Sequence, residues 1–231
     1  DFKIRPNGDS AITILFANEI SKTLTEDILL LKNSISTKLP YEQLLDIVPA
    51  YQSLTLYFAN PMKNFENIKK DISTIVNQVL SSEFKKKNKS NKQIQIPVCY
   101  EDEFAPDLKK LSLHLKIEPS ELIKKHTSGT YLVHMLGFLP GFLYLGGLDK
   151  SLHFPRKRTP AIKITKGSVG IGGSQTGIYP IDSPGGWHII GRTPVTMFDL
   201  NRDEITIANP LDEIKFYSIT SEEFRQFETE C

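Results

Sequence analysis

The sequence predicts two domains in tandem, an α+β unit of ferredoxin-like βαββαβ form followed by a mainly β unit of the closed or sandwiched kind. Three observations predict this. The chain has 231 residues, which suits two hydrophobic cores of roughly 90 and 140 residues better than one. Before the Lys-rich run near residue 85, short β-like runs alternate with longer segments of helical periodicity. From Thr130 onward, almost every segment is a brief β-like run broken by Gly or Pro, the pattern of an all-β domain.

Ser10–Phe16 follows the turn signal Asn7-Gly8-Asp9 and reads as the opening strand. Leu24, Ile28, Leu31 and Ile35 recur at steps of four, three and four, so they line one face of a helix that begins near Ser21 to Thr25 and ends before Pro40. The runs Leu44–Val48 and Leu54–Phe58, around the turn Pro49-Ala50-Tyr51-Gln52, form a hairpin. Phe65, Ile68, Ile72, Ile75, Val76 and Val79 mark a second amphipathic helix, entered from Asn60-Pro61. Ile94–Val98 is placed as the strand that completes the βαββαβ unit, with Pro97 confining it to an edge or a crossover between domains.

Lys85 to Lys92 carries no apolar residue to bury and reads as a solvated tether. The expected organisation is therefore an α/β domain over 1–86, a Lys-rich linker over 87–93 and a β-rich domain over 94–231. In the second domain, Pro106–Leu115 and Pro119–His126 are helical candidates. Ile205–Ile207 and Ile214–Tyr217 are expected as final strands.

Composition closes several functional classes. Lys plus Arg number 28 against 27 Asp plus Glu, a net charge of +1, so the basic excess that nucleic-acid binding needs is missing. Cys99 and Cys231 are the only cysteines; they make neither a disulfide framework nor a four-ligand zinc site, and a reducing cytoplasm is the expected compartment. No apolar run approaches the ~20 residues that span a bilayer. No metal site is expected, because His114, His126, His134, His153 and His188 are scattered without HxH or HExxH spacing.

The most unusual segment is Lys166–Gly191, with eight glycines and two prolines. It contains neither GxxxxGK nor GxGxxG, which argues against a phosphate or dinucleotide loop. Ser174 lacks the second glycine of a GxSxG elbow. Tight turns and bulges of a small barrel, or a loop facing a ligand or partner, remain the two readings. Phe138–Leu148 likewise reads as a core strand pair or as an aromatic docking surface. His126 and His188 are possible acid/base groups, and Arg156, Arg158 and Arg192 beside Pro-Gly turns are suited to clamping a carboxylate or phosphate.

The blocks GFLPGFLYLGGL (Gly137 to Leu148), Pro155-Arg156 and GSVGIGGSQTGIYPIDSPGGWHIIGRTP (Gly167 to Pro194) resemble the signature of the 5-oxoprolinase B subunit, the Kip-type histidine-kinase inhibitors and allophanate hydrolase subunit 1. Weaker matches at Gly8–Ala11, Val48–Leu54 and Ile96–Tyr100 extend the resemblance over nearly the whole chain. It implies a C-terminal cyclophilin-like β-barrel, in shape rather than in prolyl isomerisation. By the same resemblance His126, Arg156, Gln175 and Arg192 are the candidate catalytic residues. Tyr131, Phe138, Pro140, Phe142, Thr176, Tyr179, Pro184, Trp187 and Thr193 fall on motif positions and form the candidate ligand or partner surface, with Trp187 and Arg192 expected to be presented rather than buried. One departure stands out: the family's second Pro-Arg is Pro160-Ala161 here, with Arg158 two residues earlier.

The implied activity is ATP-dependent opening of 5-oxo-L-proline to L-glutamate, with ATP as co-substrate of a complex in which this chain is inactive alone. The implied partners are the other two 5-oxoprolinase chains, its C subunit, which is allophanate hydrolase subunit 2-like, and its A subunit. Two other expectations travel with the resemblance: an inhibitor that docks on a sensor histidine kinase, and a component of an enzyme for an allophanate or urea-type amide.

Overall fold

The structure is a computed structural model that describes residues 1–38, 44–81 and 91–230. The chain divides into two compact units, Asp1–Lys89 and Ser90–Cys231. Most of the expected Lys-rich tether lies outside the described residues.

The first unit contains β1 (Phe2–Pro6), β2 (Ala11–Phe16), α1 (Lys22–Lys38), β3 (Leu44–Pro49), β4 (Ser53–Phe58) and α2 (Phe65–Ser81). Helix α1 starts where expected because the Ser21 hydroxyl accepts from the Leu24 N–H at 3.2 Å, satisfying one of the amides that a helix start leaves open. Asn64 does the same for α2 through the Asn67 N–H at 3.2 Å, so that helix begins a few residues after Asn60-Pro61. The sheet is antiparallel in the order β1-β2-β4-β3. Ile12, Ile14, Leu54 and Leu56 on the central strands pack with Leu31, Ile35, Ile72 and Val76 of the helices, all fully buried, each side chain contributing ~1.5–3 kcal/mol.

The βαββαβ expectation is corrected in one element. Ile94–Val98 does not close this sheet. The place beside β2 is taken by β1, whose Lys3, Arg5 and Pro6 disguise it as a polar lead-in.

The second unit contains β5 (Gln93–Cys99), α3 (Leu108–Leu115), α4 (Pro119–Ser128), β6 (Tyr131–Leu136), β7 (Leu143–Gly146), β8 (Ala161–Ile164), β9 (Ser168–Gly172), β10 (Gln175–Ile178), β11 (Ser183–Gly185), β12 (His188–Arg192), β13 (Glu213–Ile219) and α5 (Ser221–Glu230). Seven strands close a mixed barrel in the order β10-β7-β6-β13-β5-β12-β9, while β8 and β11 pair separately. This is consistent with the cyclophilin-like barrel that the resemblance implies.

Strand β5 runs parallel to β13 over seven residue pairs, Glu213↔Gln93 to Ile219↔Cys99. On its other side it meets β12 only at Arg192↔Cys99, so Pro97 sits in an interior strand with little ladder on one flank, where a missing N–H costs little. Ile205–Ile207 is not a strand; Thr206 makes an isolated bridge to Phe198 beyond the polar turn Asn201-Arg202-Asp203-Glu204. Ile96, Val98, Val133, Leu145, Ile171 and Ile214 fill the barrel and are fully buried. Among the described residues no helix is long and apolar enough to cross a membrane.

Candidate functional site

Strands β9 and β10 face the barrel interior with Val169, Ile171, Thr176 and Ile178. Their pleat turns Gly170, Gly172 and Gly177 to the other face. The Trp187 indole rests there: a Cβ on Gly172 would lie 2.6 Å from the ring, and one on Gly177 would lie 2.9 Å from the ring and 2.6 Å from the Leu143 carbonyl. Gly167, before β9, and Gly173, at the hairpin tip, take left-handed φ values of +79° and +70°. Three of the segment's glycines, Gly170, Gly172 and Gly177, thus form a flat seat for an aromatic ring.

Around that seat is an aromatic layer. Phe142 meets Tyr179 edge-on at 5.1 Å and Trp187 edge-on at 5.5 Å, and Tyr144 lies 4.6 Å from Phe142. Such edge contacts add ~0.5–1.5 kcal/mol each to the burial. Phe142, Tyr179 and Trp187 are almost fully buried, which corrects the expectation that Trp187 is presented. What the layer presents is Phe138, 61% exposed. It packs edge-on to Phe142 at 5.7 Å and Tyr179 at 6.4 Å. Its backbone has φ +66°, a left-handed conformation that costs a non-glycine residue ~1–2 kcal/mol. The Arg156 guanidinium lies 5.7 Å from the Trp187 ring centre. It is exposed and has no carboxylate partner among the described residues. Pro140 and Pro184 are exposed as well.

His126 is elsewhere, inside the barrel. Helix α4 carries it, fully buried and stacked on Phe216 at 4.7 Å. Thr176 Oγ1 donates to the Gly170 carbonyl at 3.0 Å, so it accepts from His126 Nε2 at 2.9 Å. Nδ1 then accepts from the Tyr100 hydroxyl at 2.8 Å. Tyr131 donates to the His126 carbonyl at 2.6 Å. Burial pushes the imidazole down to about 3, so it is neutral, with both nitrogens occupied. His126, Tyr131 and Thr176 form one interior network and are not a surface.

Arg192 belongs to a third group. Its Nε donates to the Lys166 carbonyl at 2.9 Å, the guanidinium lies 5.4 Å from the Phe224 ring centre, and Glu228 is 3.7 Å away. Helix α5 therefore lies over it, and only 22% of its side chain is exposed. Thr193 is buried beside it, its hydroxyl accepting from the Val195 N–H at 3.2 Å. Gln175 is half-buried, and its side chain makes no hydrogen bond among the described residues.

No hydrogen bond, ion pair or ring contact among the described residues joins Arg156, His126 and Arg192 to one another. Sequence reading missed Tyr100, Phe216 and α5. It also missed Asp107, which pairs with Lys157 at 2.6 Å and accepts from the Ile189 N–H at 2.7 Å, fixing the segment that carries Arg156 to the edge of β12. The one local signal was Pro106-Asp107, a helix-start pair whose aspartate turns to β12 instead of capping α3. Among the described residues no group of three or more His, Cys, Asp and Glu side chains is placed to hold a metal ion.

Residues 2–208 match the family described as carboxyltransferase domain, subdomain C and D. The chain is 35% identical to the B subunit of 5-oxoprolinase from Bacillus subtilis (strain 168), over 99% of this chain and 98% of that protein. A solved structure of a conserved uncharacterized protein of Pyrococcus horikoshii is 39% identical, covers 96% of this chain and 100% of its own, and superposes with a TM-score of 0.57. The urea amidolyase of K. lactis shares the fold, with a TM-score of 0.80 at 19% identity over 97% of this chain and 15% of that one.

Proposed function

This chain belongs to the carboxyltransferase-domain family of subdomains C and D, and within it to the B-type proteins of 5-oxoprolinase, and we propose on that footing that it is the B subunit of an ATP-dependent 5-oxoprolinase. The observation that carries the reading is the correspondence with the B. subtilis protein over 99% of this chain and 98% of that one. The reaction opens the lactam of 5-oxo-L-proline to L-glutamate at the expense of ATP.

A lactam resists water because amide resonance stabilises it. Transfer of the γ-phosphoryl group of ATP to the lactam oxygen, with ADP leaving, makes the carbon electrophilic; water adds to it, the C–N bond breaks as the nitrogen takes a proton, and a second water releases phosphate from the resulting acyl phosphate. Negative charge is carried through the transfer step by the phosphoryl oxygens and by the bridging oxygen of the departing ADP. Arg156 is the candidate catalytic side chain best suited to meet it, exposed, held over the Trp187 ring and without a carboxylate partner among the described residues. The exposed Phe138, packed on the buried aromatic layer, offers an apolar contact for a ring. Gln175 is a second polar candidate. His126 has no such role, because both its nitrogens are occupied and it stays neutral.

Arg156 and the aromatic layer do not make a complete site. The acid/base group and the nucleotide contacts are assigned to the two partner chains of the complex, so the chain alone is inactive. The test is reconstitution: the chain, its partners and ATP together should form glutamate from 5-oxoproline, and omission of the chain should stop it. Equal turnover without this chain would refute the reading.

A further inference from the structure

Among the described residues strand β1 is the edge of the first unit's sheet, paired with β2 on one side only. At the two ends of that ladder, the Asn7 N–H donates to the Ala11 carbonyl and the Ala17 N–H to the Asp1 carbonyl. The alternation of an antiparallel pair then turns the odd-numbered residues of β1 toward β2, and Phe2 and Ile4 direct their N–H and C=O groups outward. Beside this edge runs an open groove of about 380 Å³, lined by Phe2, Lys3, Ile4 and Arg5 of β1 and by Lys69 and Ser73 of α2. Phe2 and Ile4 lean onto the helix-covered core, while Lys3 and Arg5 are exposed. Among the described residues Lys69 has one carboxylate neighbour, Glu66 at 3.6 Å, itself largely exposed. The groove therefore offers unpaired backbone groups, an apolar floor and three cations with no carboxylate among its lining residues.

We propose that this edge receives an extended segment of a partner protein whose side chains alternate acidic and apolar, added to the sheet as a fifth strand. The pleat dictates the alternation. Residues opposite Lys3 and Arg5 share their face and favour carboxylates, while residues opposite Phe2 and Ile4 turn toward α2 and favour apolar groups. A second copy of this chain is the poorer occupant, because pairing β1 with β1 sets the same two cations against each other. The strand is also short and charged, the usual protection of an edge against self-association, and the same charges select an acidic guest.

The experiment uses the full chain and two labelled heptapeptides, one alternating Glu and Val and the other Lys and Val, followed by fluorescence anisotropy. The Glu-Val peptide should bind at least about tenfold more tightly than the Lys-Val peptide, a difference of ~1.4 kcal/mol, and should weaken with added salt. Ile4→Pro removes one outward N–H, which an edge strand tolerates on its open side, and should weaken binding at least about tenfold, with a melting temperature lowered only by the lost packing of Ile4 on the core. Lys3→Glu with Arg5→Glu, at two exposed positions, should reverse the peptide preference and decides the matter if Ile4→Pro folds poorly. Equal binding of both peptides, binding of neither, or a dimer of the chain that the charge reversal strengthens would each overturn the proposal.

Discussion

The hydroxyl of Tyr100 and Nδ1 of His126 lie 2.8 Å apart in the barrel interior, and with Nε2 committed to Thr176 the imidazole has no room for a second proton. Its folded pKa, about 3, lies below the ~6.5 of an exposed histidine. As pH falls from about 6.5 toward 3, the unfolded chain takes up a proton that the folded chain refuses. Stability at this position is therefore complete above pH 6.5 and declines below it, by at most ~1.4 kcal/mol per pH unit. His134 and His188 are shifted downward by burial too, so the wild-type slope is shared. His126→Gln should flatten it, and urea midpoints at pH 7.5, 6 and 5 measure the difference. An unchanged slope would mean that His126 titrates normally.

Gly172→Ala should destabilise the barrel. The added methyl meets the Trp187 ring at 2.6 Å, and both sides of the contact are packed. Overpacking of this kind costs ~1–3 kcal/mol. The melting temperature should fall and the emission of Trp187, the only tryptophan, should shift as the ring is lifted from its seat. A variant as stable as wild type, with unaltered emission, would show that the ring does not rest on this glycine.

Arg192→Ala should also cost stability, against the expectation that this arginine is presented and silent in folding. The variant loses a hydrogen bond to the Lys166 carbonyl and the stacking on Phe224, together ~1–2 kcal/mol. Hydrogen exchange should quicken in α5 before it does in the barrel strands. Uniform exchange, with the melting temperature held, would return Arg192 to the candidate surface.

How far the sequence could be read follows from where its information lies. Helices α1 and α2 and the β3–β4 hairpin were legible because periodicity and turns are local signals. The destination of Ile94–Val98 was not, since its partner β13 lies more than a hundred residues away and two folds compete for one apolar run. Strand β1 hid for the opposite reason, its charged face being open to solvent. In the site, the motif blocks drew the eye to Arg156, Phe142 and Trp187, which do meet. Composition cannot say that a glycine run is a seat for a ring instead of a ligand loop. Nor can spacing reveal that His126 finds Tyr100, 26 residues before it, and Thr176, 50 after.

The last prediction concerns Arg156, the one catalytic candidate that is both exposed and unpaired. Arg156→Ala removes no ion pair and no hydrogen bond among the described residues, only a cation over the Trp187 ring, which at an exposed site is worth ~0.5–1 kcal/mol. The melting temperature should move by a few degrees at most. If the guanidinium meets the charge carried by the transferred phosphoryl group, glutamate formation by the reconstituted complex should fall ~100-fold or more, as loss of one preorganised donor does, with the complex still assembled on gel filtration. Arg156→Lys keeps the charge but not the forked donor set, so it should recover only part of that loss. Arg158→Ala is the control, two residues away and also exposed, and should stay near wild type. Equal losses in the two variants would reduce both to diffuse surface charge. A loss confined to Arg158→Ala would instead move the anion contact to the arginine that stands near the family's missing second Pro-Arg.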